Sequence, residues 1–97
     1  MVEREEYRKK REAEIKEMEA EIERLRAQAE KAKAEAKIRY EEEAGRMEKS
    51  VSQLRAQLDK LESAAESAWD EMRTGFEESM NRLRGSLDAA KNELGGS

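Results

Sequence analysis

The chain has 97 residues, of which 45% are charged and 36% are hydrophobic, and its formal net charge is −4. Because it contains no proline, cysteine or histidine, it has no disulfide, no thiolate zinc site and no histidine for catalysis or metal binding. Charges of both signs are interspersed, which gives no strongly basic field for nucleic acid. Such a composition is typical of coiled coils and long helices, and it predicts an all-α protein.

Residues 2–11 are nearly all charged, and Tyr7 is their only large apolar side chain after Val2. Pairs such as Glu5 and Lys9 stabilise a helix by about 0.2–0.5 kcal/mol each. We interpret this run as a solvated helix face; a basic patch at 8–11 is diluted by the surrounding glutamates. With no secretory signal and no apolar run near the ~20 residues that cross a bilayer, we expect a cytoplasmic protein.

An apolar stripe begins at Ile15 and advances alternately by three and four residues, the heptad pattern of a left-handed coiled coil. Its first members are Ile15, Met18, Ile22, Leu25, Ala29, Ala32 and Ala36. We call the last three the alanine seam. Alanine favours the helix but buries little apolar area, so the seam leaves room for a close helix or a bulky side chain opposite.

The stripe changes its period twice after the alanine seam. Tyr40, Ala44 and Met47 form a stutter that locally unwinds a supercoil, and Val51, Leu54, Leu58 and Leu61 return to heptad spacing. The remaining members follow mostly an eleven-residue period: Ala65, Trp69, Met72, Phe76, Met80, Leu83, Leu87, Ala90 and Leu94. Composition predicts a charged heptad half at 1–49, a serine-containing half at 50–94 and a flexible tail at 95–97.

The position of any turn is left open by these patterns. The stripe passes through Leu61, Ala65 and Trp69 without losing phase, which favours one continuous helix of about 90 residues, or about 135 Å. Two capping-box patterns, starting at Ser63 and Ser67, instead indicate a helical hairpin bent near 63–67. A third alternative is a bend near Gly45 to Ser52.

An amphipathic helix cannot bury its own stripe, so the chain must fold back, associate or lie on a surface. We expect a non-enzymatic structural or interaction protein that self-associates through the stripe, or binds another helical protein. Antiparallel pairing is favoured because it sets Ala32 against Trp69 and Ala29 against Met72, small against large. The alternative is a reversible membrane-surface or lipid-binding helix, since eleven-residue repeats keep one face apolar over a great length. The residues indicate no catalytic, cofactor-binding or metal site.

Three short segments resemble a group of small bacterial coiled-coil proteins. They are Arg4-Glu-Glu-Tyr7, Ala34-Glu-Ala-Lys-Ile-Arg-Tyr40 and Ser67-Ala-Trp-Asp-Glu-Met-Arg-Thr-Gly-Phe76. Some members of the group are labelled stress-response proteins. The chain departs from the group at Ala65 and Glu66, where relatives commonly carry a Ser-Gly-Asp-type break. The resemblance implies a non-enzymatic cytoplasmic protein linked to stress response, with no catalytic residues to carry over.

Overall fold

The computed structural model describes residues 4–95, with side chains to residue 93. It contains three α-helices over this range: α1 (Arg4–Ala29), α2 (Ala34–Glu62) and α3 (Glu66–Gly95). The three helices pack lengthwise into a bundle measuring 50 × 18 × 17 Å. α2 runs antiparallel to its two neighbours, so α1 and α3 are parallel. The prediction of an all-α protein is confirmed.

The chain forms three helices rather than the single continuous helix of about 135 Å that the unbroken stripe favoured. Two turns, at 30–33 and 63–65, fold it into thirds. The physical reason is burial: each isolated helix would leave its apolar face in water, and folding back removes all three faces from water at once. Phase continuity of the stripe does not prevent a turn, because each helix needs only its own face directed inward.

The first turn interrupts the alanine seam, where no turn was predicted. The amide of Glu30 still bonds to the Arg26 carbonyl at 3.2 Å, and the Ala32 amide then bonds to the Ala29 carbonyl at 3.0 Å, a tighter final turn. Lys33 takes an extended conformation, with φ −64° and ψ 155°, before α2 begins. Alanine side chains bury little apolar area. The helix therefore ends where its continuation would add the least buried apolar surface.

The second turn lies within the alternative bend predicted at 63–67. Its local chemistry differs from the predicted capping boxes, because the Ser63 hydroxyl donates to the Asp59 and Lys60 carbonyls, both at 3.4 Å, instead of capping α3. The Arg4 guanidinium donates to the carbonyl oxygens of Glu62, at 3.3 Å, and of Ala64. A cation at the carboxyl end of α2 is also favourable for the helix dipole.

The interior of the bundle is apolar, and none of the described residues buries a polar or charged side chain. Most of the predicted stripe is buried there: Ile15, Met18, Ile22, Leu25, Ala29, Tyr40, Ala44, Met47, Val51, Leu54, Leu58, Leu61, Phe76, Met80, Leu83, Leu87 and Ala90. Trp69 and Met72 are half-buried and pack against this core. The predicted change of composition at residue 50 falls inside α2.

Three predicted packing positions are placed differently. Ala32 lies in the first turn and Ala36 in the first turn of α2, and both are only half-buried. Ala65 is exposed because it lies in the second turn, outside any helix face. The side chain of Leu94 lies outside the described residues. The core also contains Tyr7, 9% exposed, which was absent from the predicted stripe.

Candidate interaction surface

Ion pairs cross the seam between α1 and α2 along its whole length. The pairs are Arg8–Asp59 at 2.5 Å, Glu19–Arg55 at 2.5 Å and Arg26–Glu48 at 2.9 Å. Arg8 also pairs with Glu62. Each exposed pair contributes only about 0–1 kcal/mol. Their side chains nevertheless bridge this seam at three levels, and the groove of about 240 Å³ that remains beside them is lined by Glu19, Glu23 and Glu48 among others. A further helix would have to displace these pairs.

The seam between α1 and α3 is bridged in the same way, and its remaining groove of about 190 Å³ is lined by Glu14, Glu21 and Asp88 among others. Its pairs are Arg11–Glu77 at 2.8 Å, Glu14–Arg84, and Glu21–Lys91 at 3.3 Å. Burial by itself would favour the protonated form of Glu14, but its contacts with Arg84 and Arg11 outweigh that effect and lower the pKa of its carboxyl group. Hydrogen bonding to Arg55 likewise lowers the pKa of Glu19 on the other seam. Both carboxylates are therefore held in their charged form.

The seam between α2 and α3 is different. Among residues 4–95, neither an ion pair nor a side-chain hydrogen bond joins these two helices. A groove of about 580 Å³ runs along them instead, with the buried side chains of Leu54 and Leu83 at its base. Its other lining residues are Ser50, Gln53, Ala56, Gln57, Lys60, Ser79, Arg82 and Ser86. We call this the α2–α3 groove.

The α2–α3 groove is locally cationic in a chain whose net charge is −4. Its lining contains Lys60 and Arg82 and no Asp or Glu. Arg82 donates to the Ser79 hydroxyl at 3.2 Å. Within the part of the chain that the structure describes, neither Lys60 nor Arg82 has a carboxylate within ion-pair distance. A groove with this lining attracts negative charge, and its short side chains allow another backbone to approach closely.

An aromatic cluster closes one end of the bundle. The Tyr7 ring lies edge-on to Trp69, with centroids 5.6 Å apart, and edge-on to Phe76 at 6.4 Å. The guanidinium groups of Arg73 and Arg4 lie over the indole of Trp69, at 5.0 and 5.7 Å. Such geometries are favourable for edge-to-face and cation–π contacts. The cluster joins α1 to α3, and the space it encloses is filled by its own side chains.

Within this cluster, the surroundings of Tyr7 change the pKa of its phenol. Burial raises the pKa of its phenol, and its hydrogen bond to Glu77 adds to that effect, while the neighbouring Arg11 opposes it. The phenol therefore stays protonated and acts as a hydrogen-bond donor. Sequence reasoning missed this residue, although Tyr7, Arg11 and Ile15 follow one another in steps of four, in phase with the stripe. The surrounding charges obscured that signal.

In the folded monomer the predicted packing positions contact one another within a single chain. The bulky side chain of Trp69 lies against Tyr7, near the start of α1, rather than against Ala32, which lies beyond the other end of α1. Apart from Ser63 and Ser67, the serines of the second half had no role assigned from the sequence. Three of them, at positions 50, 79 and 86, line the α2–α3 groove.

Acidic side chains occur throughout residues 4–95. Within this range no group of three or more Asp and Glu side chains is arranged to hold a metal ion. Over the same residues, no helix combines the length and the apolar character needed to cross a bilayer. The adjacent carboxylates Glu41, Glu42 and Glu43 lie on different sides of α2, and a helix surface of this kind does not provide the desolvated cleft in which carboxylate pKa values separate.

Comparison of the chain with protein-family models, with curated proteins and with solved structures finds no match in any of the three. Its similarity to small bacterial coiled-coil proteins therefore rests on the three sequence segments alone. The function has to be argued from the bundle and its surfaces.

Proposed function

We propose that the protein is a non-catalytic helical interaction module, and that it binds an acidic amphipathic helix in the α2–α3 groove. The observation that supports this is the contrast among the three seams. Two are bridged by ion pairs, and the smaller grooves beside those pairs are lined with carboxylates, whereas the third has a larger, cationic groove without a carboxylate in its lining. A partner helix with glutamates or aspartates would supply the missing charges.

The shape of the groove suits a helix better than a small molecule. It runs along two adjacent antiparallel helices, and its base is apolar at Leu54 and Leu83. A fourth helix in this position would pack lengthwise against both α2 and α3, as neighbouring helices do in helical bundles. Ser50 and Ser79 are short enough to let it approach closely. Gln53 and Gln57 offer hydrogen bonds at the rim.

In the folded monomer the partner helix would contact the polar lining of the groove rather than the residues of the apolar stripe. The stripe residues are almost fully buried; Leu54 and Phe76, for example, are each 1% exposed. We therefore still propose association through a helix surface, but through the α2–α3 groove instead of the apolar stripe. Charge complementarity would be the chief attraction, acting on specificity and association rate, because the leucines at the groove base are already almost fully buried.

A pair of synthetic helices tests this proposal. One peptide of about three heptads carries a Leu and Ala face flanked by glutamates, and the other has lysines in place of the glutamates. Fluorescence anisotropy of each labelled peptide is measured against the full chain. We expect the glutamate peptide to bind and the lysine peptide not to bind. Binding should weaken as salt is raised, because exposed charges are screened.

Charge-reversal variants then locate the site. The double variant Lys60→Glu and Arg82→Glu should weaken binding of the glutamate peptide by about tenfold or more, since each exposed pair contributes up to about 1 kcal/mol and reversal adds repulsion. The control, Lys9→Glu with Lys49→Glu, makes the same change of net charge outside the groove and should leave binding unchanged. Equal loss in both double variants would refute the groove as the site.

A vesicle measurement tests the lipid-binding alternative. In a flotation experiment with anionic phospholipid vesicles, the protein should stay at the bottom of the gradient, separate from the vesicles. Co-flotation of the wild-type chain, combined with no binding of the glutamate peptide, would reject the proposed function in favour of a membrane-surface role.

A further inference from the structure

The turn at 30–33 is built from residues that favour a helix. Residues 27–36 read Ala-Gln-Ala-Glu-Lys-Ala-Lys-Ala-Glu-Ala and contain no Gly, Pro, Asn, Asp or Ser. All four residue types in this segment are strong helix formers. Turns in proteins normally use the types that are missing, because those residues pre-set or tolerate the required backbone angles. Local sequence therefore opposes the turn that the tertiary structure adopts.

The backbone at this turn is also weakly fixed. Lys33, at the N-cap position of α2, makes no side-chain capping hydrogen bond. The absence of a capping residue such as Ser or Asp at this position typically lowers helix stability by about 0.5–2 kcal/mol. A continuous helix through residues 30–33 would restore the regular backbone hydrogen bonds that the turn interrupts. The closed turn is thus held by the packing of α1 on α2 and α3, and locally by the backbone hydrogen bonds of Glu30, Lys31 and Ala32.

That packing does not require α1 and α2 to belong to the same chain. If α1 and α2 join into one helix over 4–62, two such helices can lie antiparallel about a two-fold axis. Every contact between α1 and α2 then forms twice between chains, as a two-fold interface requires. The pairs Glu19–Arg55 and Arg26–Glu48 would both be kept. α3 would remain on its own α2, because the turn at 63–65 is unchanged, and would meet α1 of the second copy.

We propose that the turn at 30–33 opens, and that two copies of the chain exchange α1 to form an antiparallel domain-swapped dimer. The partner is a second copy of this chain, and the shared surface is the apolar stripe itself. This inference is independent of the α2–α3 groove, which lies between two helices that stay together in both forms. Monomer and dimer have the same core, so their balance depends on the turn and on protein concentration.

Lys33 offers a substitution that separates the two forms. Its φ of −64° matches the angle that proline imposes, and its amide takes part in no backbone hydrogen bond of the turn. Position 33 of the closed chain therefore meets both requirements that proline places on its own residue. In the joined helix the same proline would lie in the helix interior, where it removes a hydrogen bond and clashes with the preceding turn. Lys33→Ala makes the same change of charge without this restriction.

The test measures mass and distance together. Light scattering after size-exclusion chromatography gives the dimer fraction over a concentration series. A doubly labelled chain, with Lys10→Cys and Lys60→Cys carrying donor and acceptor dyes, is mixed with excess unlabelled chain so that energy transfer reports one chain only. The two sites lie at the same end of the closed bundle, but about 75 Å apart on a joined helix, given ~1.5 Å per residue. We expect high transfer in the monomer and low transfer in the dimer.

The variants decide the outcome. Lys33→Pro should raise the dimer dissociation constant more than a hundredfold, whereas Lys33→Ala should leave it unchanged or lower it. A dimer that keeps high transfer, or that persists in Lys33→Pro, would show association without exchange and overturn the proposal. So would a monomer with high transfer at every concentration for both the wild-type chain and Lys33→Ala. Circular dichroism of Lys33→Pro checks that it is folded.

Discussion

The phenol of Tyr7 donates a hydrogen bond to a carboxylate oxygen of Glu77 at 3.0 Å, although seventy residues separate them. The same separation recurs along the bundle, between Glu14 and Arg84 and between Glu21 and Lys91. Seventy residues are ten heptads, so α1 and α3 keep one constant parallel register over three successive contacts. The charged residues beside the stripe thus select the alignment of two helices whose apolar faces alone would allow several.

Substitutions at Tyr7 separate its hydrogen bond from its packing. Tyr7→Phe removes the bond to Glu77 and keeps the ring between Trp69 and Phe76, and we expect it to lower the free energy of unfolding by about 1 kcal/mol. Tyr7→Ala removes the ring as well and should cost about 3–5 kcal/mol, as for other large-to-small core changes. Urea unfolding followed by circular dichroism measures both. Equal losses in the two variants would mean that the ring contributes little to the bundle.

Acid should destabilise the bundle through Glu14. Its pKa is lower in the folded chain than its usual value of 4.5, so the folded state binds fewer protons than the unfolded state in this range. The stabilisation is fully present above the unfolded-state pKa and is lost as pH falls through the lowered folded-state pKa. If urea unfolding is measured at successive pH values from 7 downward, the midpoint urea concentration should therefore begin to decrease at about pH 5.

Glu14→Gln is the matched variant for this pH dependence. It keeps the size of the side chain and removes the titrating group, so its urea midpoint should vary less with pH than that of the wild-type chain. Glu17→Gln, at an exposed position of the same helix, is the control and should reproduce the wild-type profile. An unchanged profile in Glu14→Gln would assign the acid sensitivity to other carboxylates.

Glycine-to-alanine substitutions should stabilise the bundle. Gly45, Gly75 and Gly85 lie inside helices, none has a positive φ, and a Cβ at any of them would meet nothing within 4 Å. Alanine loses less backbone entropy on folding, so each substitution should raise the free energy of unfolding by about 0.5–1 kcal/mol. Thermal unfolding of the three single variants measures this. Ala20→Gly, on the exposed side of α1, should have the opposite effect, and a loss of stability at Gly75→Ala would reveal a need for open space beside the α2–α3 groove.

The stripe could be read from the sequence because helix periodicity is local. From Ile15 to Leu61 and from Phe76 to Leu87, the residues predicted to pack are those buried in the bundle, apart from the alanines at positions 32 and 36. Tyr7 was missed because charged neighbours dilute its apolar signal, although it continues the stripe in steps of four. The turn at 63–65 had a usable signal in Ser63, even though that hydroxyl bonds back to α2 rather than forward to α3.

The α2–α3 groove had no comparable signal. A serine on a helix surface is usually only solvated, and Ser50 and Ser79 become meaningful when both line a groove at a seam without ion pairs. That juxtaposition depends on how far α3 is displaced along α2. Similarly, Lys60 and Arg82 are ordinary surface cations until the fold places both beside a groove whose lining contains no carboxylate.

The sequence by itself determined that this chain is helical and which face of each helix is apolar, because both follow from residue propensity and periods of three to four residues. Only the tertiary structure decided where the helix breaks, and it broke the alanine seam at residues whose local preference is to continue. The physical reason is that the turn leaves the first amides of α2 without helical hydrogen-bond partners, whereas closing the bundle removes three long apolar faces from water. Local propensity and tertiary burial favour different structures at this one segment, and burial prevails.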